Sequence, residues 1–193
     1  DQNPWHASGR VPEALACPIE RGLAGVVWRA VDRTTPRQFQ LVLGPRRAGK
    51  TTVMLQTVRH LLARGVPARR LWWLQLDHPL LMQVPLGTLV KSALAHADAT
   101  ADLPLYLFLD ELTYAPDWDL WLRISFDEQW PVRIVATSSF SSAPGQRQLQ
   151  SAPGRWEEQH LSPCLFDEYL DLAGVPLELE VEETLGATLR ALA

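Results

Sequence analysis

Lysine is nearly missing from this 193-residue sequence, which holds Lys50 and Lys91 against sixteen arginines. The net charge is −4 and the pI is near 5.7. This balance argues against broad, non-specific binding of nucleic acid, although a local arginine patch is compatible with it. Because the chain favours arginine so strongly, a lysine inside a motif indicates a need for a compact ammonium group.

Cysteine and long apolar runs are also scarce. Cys17 and Cys164 lie far apart without the spacing of a metal site, so we expect reduced thiols in the core or near the surface. No segment approaches the ~20 apolar residues of a membrane span, and no basic and then apolar signal segment opens the chain. We therefore expect a cytoplasmic protein without a membrane partner.

What the sequence does contain is a complete phosphate-binding pattern at residues 44–51. Two glycines, a lysine and a threonine stand at the required spacing, after an apolar stretch at 39–43 and before apolar residues at helical spacing. This strand, loop and helix context favours a nucleotide site over a plain glycine-rich turn. The residues expected to bind the nucleotide are Gly44, Pro45, Arg46, Arg47, Ala48, Gly49, Lys50, Thr51 and Thr52.

The chemistry of the motif assigns roles within it. The glycines allow amide N–H groups to point at a phosphate, and the helix N-terminus adds partial positive charge there. Lys50 is expected to reach the β- and γ-phosphates, and the hydroxyl of Thr51 is expected to bind Mg²⁺. Arg46 and Arg47 are open to two interpretations: contacts with phosphate or a partner, or exposure to solvent.

A second motif follows about sixty residues later, where an apolar stretch at 105–109 ends in Asp110 and Glu111. An acid at the end of a buried strand matches the aspartate that holds Mg²⁺ in P-loop enzymes, directly or through water. Glu111 is suited to activating water as a general base. The sequence therefore predicts metal ligands at Thr51 and Asp110, with catalytic roles for Lys50 and Glu111.

Further strands are predicted at 71–76, 132–136 and 156–161, with a crossover helix at 86–96. Adjacent tryptophans at 72 and 73 indicate that both faces of the sheet are covered. We therefore expect an α/β protein: a three-layered P-loop NTPase fold with a mainly parallel five-stranded sheet and helices on both faces. Asp77, at the end of the second strand, is a candidate for the magnesium shell, for a contact with a partner or for a turn.

Several segments together resemble one group of AAA-like ATPases, the predicted bacterial and archaeal-type ATPases whose phosphate loop reads Gly-Pro-Arg-x-x-Gly-Lys-Thr. The resemblance covers roughly residues 38–171. It is carried by Leu107-Phe108-Leu109-Asp110-Glu111, Pro116-Asp117-Trp118, Leu122, Asp127, Val132 to Ala136 with Thr137-Ser138-Ser139, Gly154-Arg155 and Leu161-Ser162-Pro163.

This resemblance implies two further site elements. In the family, the fourth strand ends in a Thr-Gly-Ser sensor of the γ-phosphate, which Thr137 and Ser139 match while Ser138 replaces the glycine. The arginine of the family falls on Arg155. It is a candidate arginine finger, acting within the chain or across a subunit interface, and a surface salt bridge is the alternative.

The expected organisation has three parts. Residues 1–37 form a lead-in, irregular up to residue 10, followed by one or two short helices packed on the core. Residues 38–171 form the ATPase core, with a loop at 138–154 that carries two Ser-Ala-Pro-Gly turns. Residues 172–193 form a helical tail with an acidic face, at a point where the relatives continue into a further domain.

The function expected from these motifs is hydrolysis of ATP with Mg²⁺, coupled to a protein partner or a C-terminal effector domain, in a homo-oligomer or alone. A slow switch that binds ATP for a partner is the alternative. A small-molecule kinase would not need Glu111, and a GTPase would carry an Asn-Lys-x-Asp motif that the sequence lacks. A nucleic-acid partner is suggested by the relatives only through analogy.

Overall fold

Five parallel strands form one sheet in the order β2-β3-β4-β1-β5. The structure is a computed structural model that describes residues 2–15, 17–139 and 154–175, with the backbone alone at residue 167. Side chains alternate between the two faces of such a sheet, so both faces need cover. The strands are β1 Phe39–Gly44, β2 Leu71–Gln75, β3 Leu105–Asp110, β4 Val132–Ser139 and β5 Trp156–His160.

Helices cover both faces of this sheet. Single 3₁₀ turns lie at Ala68–Arg70 and Leu112–Tyr114. None of the helices in the described part of the chain is long and apolar enough to cross a membrane. The helices are α1 Trp5–Ser8, α2 Gly22–Asp32, α3 Lys50–Ala63, α4 Leu86–His96, α5 Trp118–Asp127 and α6 Phe166–Ala173.

The core consists of two apolar clusters, one on each face of the sheet. Helices α4 and α5 cover the cluster that contains Leu107 and Ile134. Helices α1, α2 and α3 cover the other, which contains Phe108 and Val135. Trp72 packs against the first cluster and Trp73 against the second, so the prediction that both faces are covered is confirmed.

The predicted fold class is confirmed, with all five strands and the helices that begin at Lys50 and Leu86. The expectation of an irregular lead-in up to residue 10 was wrong in one respect. Trp5 opens the short helix α1 and is fully buried. Its indole Nε1 donates to the carbonyl of Leu71 at 2.7 Å, so the segment belongs to the core.

Residues before α1 run along the open edge of β2. Asn3 donates from Nδ2 to the carbonyl of Trp73 at 3.2 Å and accepts from the N–H of that residue at 2.6 Å. Gln2 accepts from the N–H of Gln75 at 3.2 Å. The polar side chains thus satisfy backbone groups that the edge strand would otherwise leave without a protein partner.

Two expectations lie outside the described residues. They are most of the loop with paired Ser-Ala-Pro-Gly turns and the acidic tail after residue 175. Both cysteines are free thiols: Cys17 is half-buried and Cys164 is exposed.

The contact between α4 and α5 generates a test of the fold. A Cβ at Gly87 would lie 2.4 Å from ring atoms of Trp121, whereas one at Gly25 would meet only the flexible Arg29 at 3.5 Å. We expect Gly87→Ala to lower the free energy of unfolding by about 1–3 kcal/mol. Gly25→Ala, also within a helix, should raise it by up to about 1 kcal/mol. Urea unfolding of both variants checks this, and equal midpoints would contradict the close packing.

Candidate functional site

The phosphate-loop motif lies at the carboxyl edge of the sheet, between the end of β1 and the start of α3. The ends of β3 and β4 lie beside it because all strands run in one direction. Open α/β sheets bind ligands at this edge. A cleft of about 520 Å³ is lined here by Arg46, Arg47, Gly49, Lys50, Thr51, Thr52, Asp77 and Glu111.

Both glycines of the motif are required by close packing. A Cβ at Gly44 would lie 2.6 Å from the carbonyl oxygen of Leu161. One at Gly49 would lie 2.6 Å from the guanidinium of Arg21, and the φ of +93° at Gly49 also disfavours any other residue. The loop therefore holds its shape through contacts behind it, away from the cleft.

Lys50 is buried, with its ammonium held by groups from two strands. Nζ donates to the carbonyls of Gly44 at 3.2 Å and Pro45 at 3.1 Å, and to Oγ of Ser139 at 2.9 Å. The carboxylate of Glu111 lies 3.8 Å away. A cation at the mouth of an amide-rich loop is suited to contact a phosphate chain.

Thr51 and Asp110 lie together, as the motif predicted. The hydroxyl of Thr51 donates to Oδ2 of Asp110 at 2.9 Å, and the hydroxyl of Thr137 donates to Oδ1 at 2.6 Å. Burial raises the pKa of Asp110, and the nearby carboxylates of Glu111 and Asp77 raise it further against the effect of the two hydroxyls. A hydroxyl and a carboxylate amid such negative charge are a donor set that fits Mg²⁺.

Glu111 adopts a left-handed backbone conformation, with φ of +53°. Such a conformation costs about 1–2 kcal/mol for a residue with a side chain and tends to occur at functional sites. The N–H of Glu111 donates to Oγ1 of Thr137 at 2.9 Å, and its Oε1 accepts from the hydroxyl of Ser139 at 2.8 Å. These contacts turn the carboxylate towards Lys50.

The end of β4 distinguishes the three hydroxyls at 137–139. Thr137 and Ser139 contact the acids of β3, and all three residues are buried. Because side chains alternate along a strand, Ser138 faces the other side. A sensing role for Ser139, which contacts both Lys50 and Glu111, stays a prediction.

Arg155 is not brought to the cleft. It precedes β5 at the amino edge of the sheet, where its backbone carbonyl accepts from the N–H of Phe39. Its guanidinium forms a two-point ion pair with Asp127, at 2.8 and 3.0 Å. The structure therefore does not bring Arg155 to Lys50, and no contact among the described residues supports a finger acting within the same chain. A role across a subunit interface stays a prediction.

Three other candidates lie around the cleft. Asp77 forms part of a turn after β2, and its Oδ1 is buried without a hydrogen-bond partner among the described residues. Arg46 is exposed and donates to the hydroxyl of Tyr114 at 3.3 Å. Arg47 is exposed, with φ of +65°. All three border the cleft, so the alternatives for their roles stay open.

Sequence reasoning missed the residue behind the loop, Arg21. Its guanidinium donates to the carbonyl of Ala48 in the loop, to Oε1 of Glu168 at 2.9 Å and to the carbonyl of Ser162 at 3.1 Å. The backbone N–H of Arg21 donates to Oε1 of Gln56 at 2.9 Å. Arg21 thus ties the loop to α3 and α6. Its separation of 147 residues from Glu168 left no local signal in the sequence.

Comparison with known families matches most of this chain to one family. The family described as "AAA domain" matches residues 36–170 of the chain. No curated protein matches this chain.

Two solved structures with a TM-score above 0.5 resemble the chain in fold. The Aeropyrum pernix ORC1 protein in complex with DNA is 18% identical, with a TM-score of 0.55 over 90% of this chain and 52% of that one. Saccharomyces cerevisiae RIF2 is 9% identical, with a TM-score of 0.51 over 85% and 66%. C. elegans PCH-2 is 15% identical, with a TM-score of 0.47 over 94% and 54%. The chain spans about half the length of the ORC1 and PCH-2 chains.

The ion pair between Arg21 and Glu168, behind the phosphate loop, allows a test of its contribution to stability. Burial alone would raise the pKa of Glu168, but hydrogen bonds from Leu165 N–H, the Arg21 guanidinium and Gly22 N–H bring it below its usual value. The pair therefore contributes stability above the pKa of an unfolded glutamate, and this stability is lost as the pH falls.

We expect Glu168→Gln to lower the free energy of unfolding by about 2 kcal/mol at neutral pH. The difference from the wild type should stay constant down to the pKa of an unfolded glutamate, about 4.3, and shrink as the pH falls below it. Urea unfolding at several pH values measures this, with Glu13→Gln, an exposed position, as the control. A constant difference across the pH range would show that the charge of Glu168 is not involved.

Proposed function

The chain belongs to the AAA domain family, and on that premise we propose that it binds ATP with Mg²⁺ in the cleft at the carboxyl edge and hydrolyses it. One observation carries the proposal. Lys50 contacts Ser139 and lies within ion-pair distance of Glu111, directly beside the Thr51 and Asp110 contact. The residues that we propose to bind and to hydrolyse ATP thus lie close together, as the chemistry of a P-loop enzyme requires.

Binding of the triphosphate rests on the loop and on Lys50. The backbone amides at the start of α3 and the positive end of the helix attract the phosphates. The Lys50 ammonium would exchange its bonds to the loop carbonyls for bonds to phosphate oxygens. Arg21 contacts the loop from behind through the Ala48 carbonyl, so a movement of the loop would be coupled to Arg21.

The residues present fit a magnesium ion. Thr51 and Asp110 would hold it, with water completing the shell, as Mg²⁺ prefers. When bound, the ion neutralises charge that develops on the phosphates. It would also offset the repulsion among Asp110, Glu111 and Asp77 that raises the pKa of Asp110.

Hydrolysis is assigned to Glu111 as the general base. Its backbone is held by Thr137 and its carboxylate by Ser139, so one oxygen is positioned while the other can accept a proton from water. Ser139, through its contact with Lys50, would respond to the loss of the γ-phosphate.

We also propose that the nucleotide state reaches a partner or a further domain through the segment after β5. The Arg21 contacts connect the phosphate loop to Ser162 and to α6. This segment leads away from the site towards the C-terminal end of the sequence. A shift of the loop on binding nucleotide would therefore displace α6.

The two lysines of the chain permit a matched test of ATP binding. We expect Lys50→Ala to weaken ATP binding about 10- to 100-fold, because it removes charged hydrogen bonds to phosphate. Lys91→Ala removes the same charge from an exposed position on α4 and should leave binding unchanged. Calorimetric titration with ATP and Mg²⁺ measures both. Equal affinities for the two variants would place the nucleotide elsewhere.

Turnover tests the base. Glu111→Gln should bind ATP normally yet hydrolyse it about 100- to 1000-fold more slowly, because the amide cannot accept the proton. Glu13→Gln serves as the control, and phosphate release is the measurement. Wild-type turnover in Glu111→Gln would remove the assignment. Tight binding without turnover in the wild type would instead favour the ATP-dependent switch.

Arg155 requires an assay in which the protein concentration is varied. If Arg155 acts across an interface in a homo-oligomer, the rate per subunit should rise with concentration in the wild type and stay flat in Arg155→Gln. Loss of a transition-state arginine is expected to lower the rate about 1000-fold or more. A wild-type rate per subunit that does not depend on concentration, matched by Arg155→Gln, would leave Arg155 with only its ion pair to Asp127.

A further inference from the structure

Two arginines share a cavity at the amino edge of the sheet, at the opposite end from the phosphate loop. Arg37 precedes β1, and Arg133 lies at the start of β4. Both side chains are half-buried. Together with Gln129 and Trp130 they line a cavity of about 180 Å³.

No acid among the described residues neutralises this pair. Arg37 donates to the carbonyls of Trp130 at 2.7 Å and Val132 at 3.1 Å, which are neutral groups. Its guanidinium also lies over the rings of Phe39 and Phe126, at 5.6 and 5.7 Å. The cavity lining contains no aspartate or glutamate. Arg37 is thus fixed in place while its charge stays uncompensated.

The side chain of Arg133 makes no ion pair or hydrogen bond to a described residue, and its Nη1 is buried without a partner among them. Such a group is unfavourable unless something else satisfies it. The two arginines line the same cavity, and burial together with the charge of Arg133 lowers the pKa of Arg37. An anion in the cavity would offset the positive charge of both guanidiniums.

We propose that this cavity binds a phosphomonoester or free phosphate through Arg37 and Arg133. A guanidinium matches phosphate oxygens in a two-point contact. A phosphomonoester carries about −1.5 to −2 at neutral pH and so balances two arginines. A carboxylate or an internal phosphodiester carries about one negative charge and so balances only one arginine.

The size of the cavity limits the ligand. A volume of about 180 Å³ accommodates a phosphate with a small substituent, whereas the cleft at the phosphate loop is nearly three times larger. The second site therefore suits a small phosphorylated molecule rather than a nucleotide. It does not depend on the proposed ATPase function, because none of its residues lines the cleft.

Calorimetric titration of the full chain with inorganic phosphate tests the site. We expect one binding event that depends on Arg133, weakened at least about tenfold in Arg133→Gln. Arg29→Gln removes an exposed arginine from α2 and should leave it unchanged. Arg133→Lys, which keeps the charge but loses the two-point contact, should be intermediate, and it serves as the second variant if Arg133→Gln does not fold.

Phosphate could also enter the phosphate loop, so the same titration is made with Lys50→Ala. Binding that depends on Arg133 should persist in that variant. If Lys50→Ala abolishes all phosphate binding while Arg133→Gln does not weaken it, the proposal is overturned. Failure to bind ATP would leave this titration unaffected, so the two proposals fail separately.

Further titrations define the ligand class. Methyl phosphate should bind about as tightly as inorganic phosphate, while dimethyl phosphate and acetate should bind at least about tenfold more weakly because they carry one charge. Equal affinity for dimethyl phosphate or acetate would overturn the assignment to phosphomonoesters. An equal loss of affinity in Arg29→Gln and Arg133→Gln would show that phosphate responds to the overall surface charge and not to this cavity, and would overturn the proposal.

Discussion

The burial of one ammonium group, that of Lys50, is the interaction on which the carboxyl edge of the sheet depends. Taking a charge out of water is unfavourable unless polar groups replace the water. Here the replacements come from the end of β1 and the residue after it, Gly44 and Pro45, from Ser139 at the end of β4 and from Glu111 after β3. The strand order, with β1 beside β4 and β4 beside β3, is therefore also the order that surrounds the lysine.

Most of the fold could be predicted from the sequence because its signals are local. Mainly apolar stretches of five or six residues defined β1 to β4, whereas β5 is mostly polar, and the helix at 86–96 was predicted with its bounds. The lead-in could not be predicted in the same way. Trp5 stands among polar residues with no periodicity, and only the packing of the whole domain shows that it is buried.

The residues of the candidate site could likewise be predicted only where the signal in the sequence is local. Thr51, Asp110 and Glu111 belong to motifs whose spacing is fixed by one loop and one strand, and the structure brings them together. Arg155 came from a resemblance and lies at the other edge. Arg21 has no motif at all, since its partners lie up to 147 residues away. The left-handed residue Glu111 likewise donates its N–H to Thr137, a residue of another strand that no local pattern connects to it.

The polar residues along β2 have a consequence for how copies of this chain meet. An open strand edge is a template on which a second molecule can add a strand and start an aggregate. Gln2 and Asn3 occupy that template with side-chain amides, and Trp5 adds its indole N–H. An apolar cover would shield the strand yet leave its backbone groups without partners. Residues 2–5 thus reduce the number of β2 backbone groups with which a second molecule could pair at this edge.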